Sequence, residues 1–283
     1  MTVDHGGGGT SNTEAELSDS LKTFGAVLKA LREESGLTQE EFALQVRYSA
    51  AYIAKIEQGK RFPPGDLPAR AKELLGPVGT KILSAAARSL TRRAGLASWF
   101  RQWAGIEEEA ISLYAYECRA VPGLLQPEGY IRAIFDRQIP PLSEEQFERQ
   151  FAARQERQRL LAERPNTAFS FLIEQAVLER RLGGKEVTRE VINNLLEQGS
   201  RRNVEILLMP LRQEDHSGVD GQMYLAERDN HQWVGYVEGH DSSTLLADPK
   251  LVSSMLQRYG KMRSQALSRM ATVDLLREMQ GAL

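Results

Sequence analysis

Between Phe24 and Leu75 the chain is punctuated so often by helix caps and stops that only short helices joined by tight turns fit it. Phe24, Val27, Leu28 and Leu31 recur at the spacing that lines one helix face, and Ser35-Gly36 ends that run. Thr38-Gln39-Glu40-Glu41 follows, with a hydroxyl placed to cap and a carboxylate three residues on, the arrangement of a capping box. It opens a second helix predicted to reach about Val46. After a three-residue break, Ser49 caps a third helix whose Tyr52, Ile53 and Ile56 face inward and whose stop is Gly59. Arg61-Phe62-Pro63-Pro64-Gly65 makes a rigid connector, and Asp66 caps a fourth helix ending near Leu75-Gly76-Pro77. Helices this short are marginal alone, so they must pack on one another.

Thr38 to Gly59 has the proportions of a helix-turn-helix, in which the first helix crosses the DNA backbone and the second enters the major groove. Leu37-Thr38-Gln39-Glu40-Glu41-Phe42-Ala43, with Ser49, Ile53, Ile56, Glu57, Gly59, Lys60 and Arg61 at their spacings, resembles the XRE family, the Cro/phage-repressor type. The resemblance implies binding to double-stranded DNA through Thr38, Gln39, Ser49, Ala50, Ala51, Tyr52, Lys55, Lys60 and Arg61. Gln39 would hold a phosphate, Ala50, Ala51 and Lys55 would face the bases, and Tyr52, Lys60 and Arg61 would lie on sugar and phosphate. Two departures stand out. Arg47 occupies the turn position where the family has glycine, which implies a positive φ or a different turn. Ala50 and Ala51 offer only methyl contacts, leaving Lys55, Tyr52 and DNA shape to supply specificity. A homodimer is expected from the two-fold logic of operator sites.

At 283 residues the chain should form two units, each able to bury a core. Residues 1–19, with Gly6 to Gly9 and few apolar side chains, read as a disordered tail. Residues 20–78 form the helix-turn-helix domain, 79–98 a basic helical connector, and 99–283 a second domain. The whole-chain formal charge of −2 gives no general pull toward nucleic acid, so DNA affinity must be local. From Glu73 to Glu107 no acidic residue intervenes, while Lys81, Arg88, Arg92, Arg93 and Arg101 fall there. The single cysteine, Cys118, has no partner for a disulfide or a zinc site and reads as a small buried side chain on a helix. No apolar run approaches the roughly 18 residues that span a bilayer, and the start of the chain does not read as a signal peptide. A cytoplasmic protein with no membrane partner is expected.

The second domain reads as α+β. Helices are predicted over 106–118, Pro127 to Phe135, Ser143 to Arg164, 175–182, 186–198 and Pro249 to about Met279. Strands are predicted over Ala168 to Ile173, Val204 to Met209, Met223 to Glu227, Trp233 to Val237 and Ser243 to Leu246. The fold class is therefore mainly α: an all-α helix-turn-helix domain followed by an α+β domain with a small, mostly antiparallel sheet. The runs Ala115-Tyr116-Glu117, Val121-Pro122-Gly123-Leu124-Leu125-Gln126-Pro127-Glu128-Gly129-Tyr130, Phe171 to Leu178, Asn203 to Pro210 and Gly218 to Leu225 are similar to the DUF5753 domain. That domain follows an XRE domain in many actinobacterial regulators, sometimes described as antitoxin-like components of Scr1-type systems. The resemblance implies a transcription regulator whose second domain receives a signal from a small DUF397-type protein encoded nearby, or from a small molecule. Trp99, Trp103, Tyr116, Tyr130 and Trp233 are candidate anchors for such a partner, with core packing as the competing role.

An enzyme reading finds its best material in Asp215-His216-Ser217, Asp220, His231, Glu238 and His240-Asp241. HExxH, GxSxG and a His pair at ligand spacing are all absent from the sequence, as are glycine-rich phosphate motifs leading into a helix. No enzyme, metal site or cofactor is expected.

Overall fold

The computed structural model describes residues 9–94, 98–239 and 243–283. They divide between Ser98 and Trp99 into two units, each considered by itself.

The first unit is all helix: α1 (Gly9–Glu34), α2 (Gln39–Gln45), α3 (Ala50–Glu57), α4 (Leu67–Arg70) and α5 (Lys72–Ala94). Phe24 and Leu28 of α1 meet Phe42, Ala43, Val46, Ile53 and Ile56 in a sealed core. Gly25 is what lets α1 approach the end of α3: a Cβ there would lie 2.5 Å from the carbonyl oxygens of Ile56 and Glu57. Gly76, at φ 64°, breaks α5 just before Pro77. Two expectations are corrected. The tail ascribed to residues 1–19 is helical from Gly9 onward, because polar residues extend a helix cheaply once packed turns have nucleated it; residues 1–8 lie outside the described residues. The connector expected over 79–98 is helical as far as Ala94, but it belongs to the first unit, where α5 packs along α1 and buries Leu83 and Leu90; residues 95–97 lie outside the described residues.

The second unit contains α6 (Ser98–Glu109), β1 (Ser112–Glu117), a 3₁₀ turn (Gly123–Leu125), α7 (Glu128–Phe135), α8 (Glu144–Gln158), α9 (Leu160–Glu163), β2 (Ala168–Glu174), α10 (Gln175–Glu179) and α11 (Lys185–Gly199). After these come β3 (Val204–Met209), β4 (Met223–Glu227), β5 (Trp233–Glu238), β6 (Ser243–Leu246), α12 (Pro249–Gln265) and α13 (Arg269–Gly281). The single long helix predicted at the end is two, with Ser268 capping the second.

The sheet is neither small nor mostly antiparallel. It has six strands in the order β3-β2-β1-β4-β5-β6; β1, β2 and β3 are parallel, and β4, β5 and β6 add antiparallel. The missing element was β1, which lies at the heart of the sheet within the stretch predicted as helix over 106–118. Its side chains go alternately into two cores, Leu113 and Ala115 on one face, Tyr116 with half-buried Tyr114 on the other. A strand buried on both faces carries no polar alternation to announce it. Crossovers through α7–α9 and α10–α11 join the parallel strands, and α12 covers the face of Tyr114 and Tyr116. On the opposite face Phe171, Ala115, Tyr224 and Tyr236 stand in register across four strands.

Candidate nucleic-acid interface

Both helices of the turn are tied at their amino ends. Thr38 Oγ1 accepts from the Glu41 amide at 3.2 Å while Glu41 Oε2 accepts from the Thr38 amide at 2.8 Å, closing the capping box. The Thr38 amide and hydroxyl hold the Glu41 carboxyl below the usual carboxylate range. Ser49 Oγ accepts from the Tyr52 amide at 3.2 Å at the start of α3. Between the two helices, Tyr48 N–H donates to Ala43 O at 3.0 Å, and this tight closure puts Arg47 at φ 60° with its side chain in solvent.

Beneath the turn lies an ion pair nearly sealed from solvent. Arg32 Nε and Nη2 donate to the two oxygens of Glu57 at 2.7 and 3.1 Å, and Arg32 Nη1 donates to Leu37 O at 2.8 Å. Gln39 Nε2 donates to Glu57 Oε2 at 2.7 Å. One carboxylate thus fastens α1, the start of α2 and the end of α3. The Gln39 amide donor, assigned to a phosphate by resemblance, is engaged with Glu57, so its first role in this structure is to align the two helices.

An aromatic ladder flanks α3. Tyr48 and Tyr52 stack at 5.2 Å, the Arg70 guanidinium lies 4.9 Å from the Tyr48 ring centroid, and that of Arg61 lies 4.3 Å from Tyr52. Asp66 takes the Tyr48 hydroxyl at 2.5 Å and Arg70 Nε at 2.7 Å. It holds the N-cap position of α4 but caps no backbone amide with its side chain. Burial, reinforced by the bond to Asp66, pushes the Tyr48 phenol up to about 12. Arg61 is thereby pre-set over an aromatic face beside the reading helix.

The outward face of α3 presents Ala51 and Lys55, with Ala50, Tyr52 and Ala54 half-buried, while Ile53 and Ile56 point into the core. Arg47, Lys55, Lys60 and Arg61 are exposed, and among the described residues none of the four forms an ion pair. Thr38 and Ser49 are exposed at the caps. Sequence reasoning had noted Arg47 only as a turn anomaly and had missed the Arg32–Glu57 pair. The signal was there: Arg32 stands four residues after Leu28 and Glu57 four after Ile53, each on a core-facing stripe.

A family model described as a helix-turn-helix domain matches residues 23–76. A second, described as a domain of unknown function (DUF5753), matches residues 100–278, more than half of the chain. The chain belongs to the DUF5753 family. No curated protein and no solved structure matches it. The helix-turn-helix match supports a DNA-binding regulator, and among the described residues no helix is long and apolar enough to cross a membrane.

Within the DUF5753 domain the candidate partner anchors fare unequally. Trp103, Tyr116 and Tyr130 are buried at 0, 1 and 3% exposure, which makes them core residues with no surface to offer a partner. Trp103 stacks on Tyr236, Tyr116 donates to Glu174 at 2.7 Å, and the Tyr130 hydroxyl accepts from the Val121 amide at 3.2 Å. Trp233 is half-buried against Tyr114, and the Trp99 side chain lies outside the described residues. Cys118 is half-buried just past β1 rather than on a helix.

Among the described residues, the acids and imidazoles of the enzyme reading are engaged in separate contacts. His216 Nε2 bonds Glu174 at 2.7 Å while its Nδ1 accepts from the Gly218 amide at 2.8 Å. Asp215 pairs with Lys261, Asp220 with Arg258, and His231 with Glu227. His240 and Asp241 lie outside the described residues. Among the described residues no group of three or more metal-ligating side chains is gathered.

Proposed function

We propose that this DUF5753 protein is a sequence-specific, dimeric transcription regulator whose amino-terminal unit lays α3 in the major groove and whose second domain receives the signal that sets DNA affinity. The observation that carries the reading is the rim of four exposed, unpaired cations, Arg47, Lys55, Lys60 and Arg61, around a capped helix that a buried ion pair holds rigid. Unpaired surface cations next to a groove-sized helix are what phosphate contacts require. The signal would be a small DUF397-type protein or a small molecule, and the domain would act without catalysis, with its acids and imidazoles engaged in separate pairs.

Because Ala50, Ala51 and Ala54 leave the reading face poor in hydrogen-bonding groups, specificity rests on Lys55, thymine methyl contacts and DNA shape. The test is a fluorescence titration at several salt concentrations on the promoter DNA beside the protein's own gene, against random duplex. Tighter binding to the promoter, with a steep salt slope, is expected; equal affinity for both defeats the proposal. Lys55→Ala is the cleaner probe of the reading face, since Gln39→Ala also removes a strut from Glu57. The same sparse face favours a second reading, an antitoxin-like protein that sequesters a small partner with little DNA binding. A pull-down with nuclease treatment separates the two, because only the sequestering protein keeps its partner while failing the promoter titration.

A further inference from the structure

Helix α12 covers one face of the sheet, but the cover is incomplete over the amino ends of β2 and β3. A cavity of about 440 Å³ opens there, lined by the starts of the two strands, by α12 and by Arg269 at the start of α13. That volume falls in the range of small-molecule sites, roughly 300–1,000 Å³.

The apolar lining is held firmly. Tyr114 is half-buried and stands between Tyr259, stacked on it at 5.0 Å, and Trp233, tilted against it at the same centroid distance. Leu256 adds an aliphatic side chain from α12. Gly260, one turn on, leaves room, since a Cβ there would meet nothing within 4 Å. The Tyr114 hydroxyl has no hydrogen bond among the described residues, whereas that of Tyr259 is committed to Ser170, at 2.9 Å to its carbonyl oxygen and 3.0 Å to Oγ.

The polar lining is cationic. Arg202, Arg263 and Arg269, all exposed, share it with a single carboxylate, Glu205. Arg263 already holds that carboxylate, Nε to Oε2 at 3.0 Å and Nη2 to Oε1 at 2.7 Å, and Ser170 Oγ donates to Oε2 at 2.6 Å. Burial raises the Glu205 carboxyl, yet these bonds and the field of Arg269 hold it below the usual carboxylate range. One charge pair is thus satisfied, and two guanidiniums remain without an ion pair among the described residues. Arg269 Nη2 donates to Gly199 O at 2.6 Å, while the Arg202 side chain has no partner among the described residues. The backbone beside Arg202 is fixed, because Asn203 Nδ2 donates to Leu161 O and Arg164 O, both at 3.1 Å. A concave surface with surplus charge of one sign concentrates ligands of the other.

We infer that this cavity binds a small aromatic anion, its ring against Tyr114 and Leu256 and its carboxylate or phosphate on Arg202 and Arg269. Guanidinium forks match both kinds of anionic group in two-point geometry, and the open Tyr114 hydroxyl can donate to either. A neutral ligand would leave the surplus cations unanswered, and an anion without a ring would leave the apolar lining in water. The site stands on the geometry of the cavity; its use as the place where the second domain takes its signal rests on the function proposed above.

The test uses the full-length chain in thermal-shift and calorimetric titrations near pH 7.5 and at about 0.15 M salt, where loosely held surface ions are screened. The probes are benzoate, phenylpyruvate and indole-3-acetate for the carboxylates, and adenosine and guanosine monophosphates for the phosphates. The matching amides, the nucleosides and inorganic phosphate are the controls. At least one aromatic anion should raise the melting temperature where its neutral counterpart and inorganic phosphate do not. Arg202→Gln and Arg269→Gln, both at exposed positions, should each weaken binding by about tenfold, and Gly260→Phe should abolish it by filling the space. Circular dichroism checks that each variant is folded, and the arginine variants decide the matter if Gly260→Phe is not. No shift from any probe at about 10 mM, an equal shift from the controls, or binding that survives when both arginines are replaced overturns the inference. Promoter affinity measured with and without the bound probe keeps the two ideas apart: binding that leaves DNA affinity unchanged upholds the site and defeats a small-molecule signal taken there.

Discussion

At Arg47 stability and binding pull in opposite directions. A side chain at φ 60° costs roughly 1 kcal/mol relative to glycine, and nothing in the turn repays it through a contact of the guanidinium. Arg47→Gly should therefore raise the unfolding free energy of the first unit by up to about 1 kcal/mol, read as a higher denaturant midpoint. It should also weaken DNA binding and lower the salt slope by about one. A variant more stable but unchanged in DNA binding would show that Arg47 touches no phosphate. Glu117 makes the second residue-scale prediction. Burial pushes its carboxyl up to about 7, from an ordinary carboxylate value of 4.5, so the folded protein holds a proton that the unfolded chain has lost between those two pH values. Stability must then fall as pH rises from about 4.5 to about 7 and level off beyond, by about 3 kcal/mol in all. Urea titrations of Glu117→Gln should match the parent near pH 4 and exceed it near pH 8; a constant difference across that range would contradict the assignment.

At the scale of elements, the contact of α1 with α3 separates two glycines that look alike in sequence. Gly25 and Gly260 both sit inside helices, where alanine is normally better by about 0.5–1 kcal/mol. Around Gly260 a Cβ finds open space, so Gly260→Ala should stabilise by that amount. At Gly25 the Cβ would press on backbone carbonyls that cannot rotate away, and Gly25→Ala should cost about 1–3 kcal/mol and lower DNA affinity as α3 shifts. Thermal melts of the two variants should move in opposite directions. Such contacts mark the limit of what the sequence discloses. Local punctuation wrote α2 and α3 nearly to the residue, because Thr38, Glu41, Ser49 and Gly59 act on their own neighbours. β1 was illegible, because a strand buried on both faces looks like any apolar run until its partners are known. The buried carboxyl of Glu117 was half legible, because Glu117 follows Leu113 and Ala115 in strand alternation.

At the scale of the whole molecule, the near-neutral net charge conceals a division of labour. Exposed cations without an ion pair cluster around α3, and each unit also buries charge, the Arg32–Glu57 pair in the first and the Arg157–Glu107 pair in the second. Each unit has its own closed core, with Phe24, Leu28, Ile53 and Ile56 in one and the two faces of the six-stranded sheet in the other. Cores that share no residues should melt as separate cooperative units, and a single two-state analysis should fail for the full chain. The variants supply the labels. Gly25→Ala should lower the transition of the first unit and leave that of the second in place, whereas Glu117→Gln at pH 8 should raise the second and leave the first. Calorimetry of the parent and both variants reads both shifts, and one transition that shifts as a whole in each case would show that the units stabilise each other. Such coupling is itself what a regulator needs in order to pass a signal from the DUF5753 domain to α3, so the size of any shared shift bounds the free energy available for that purpose.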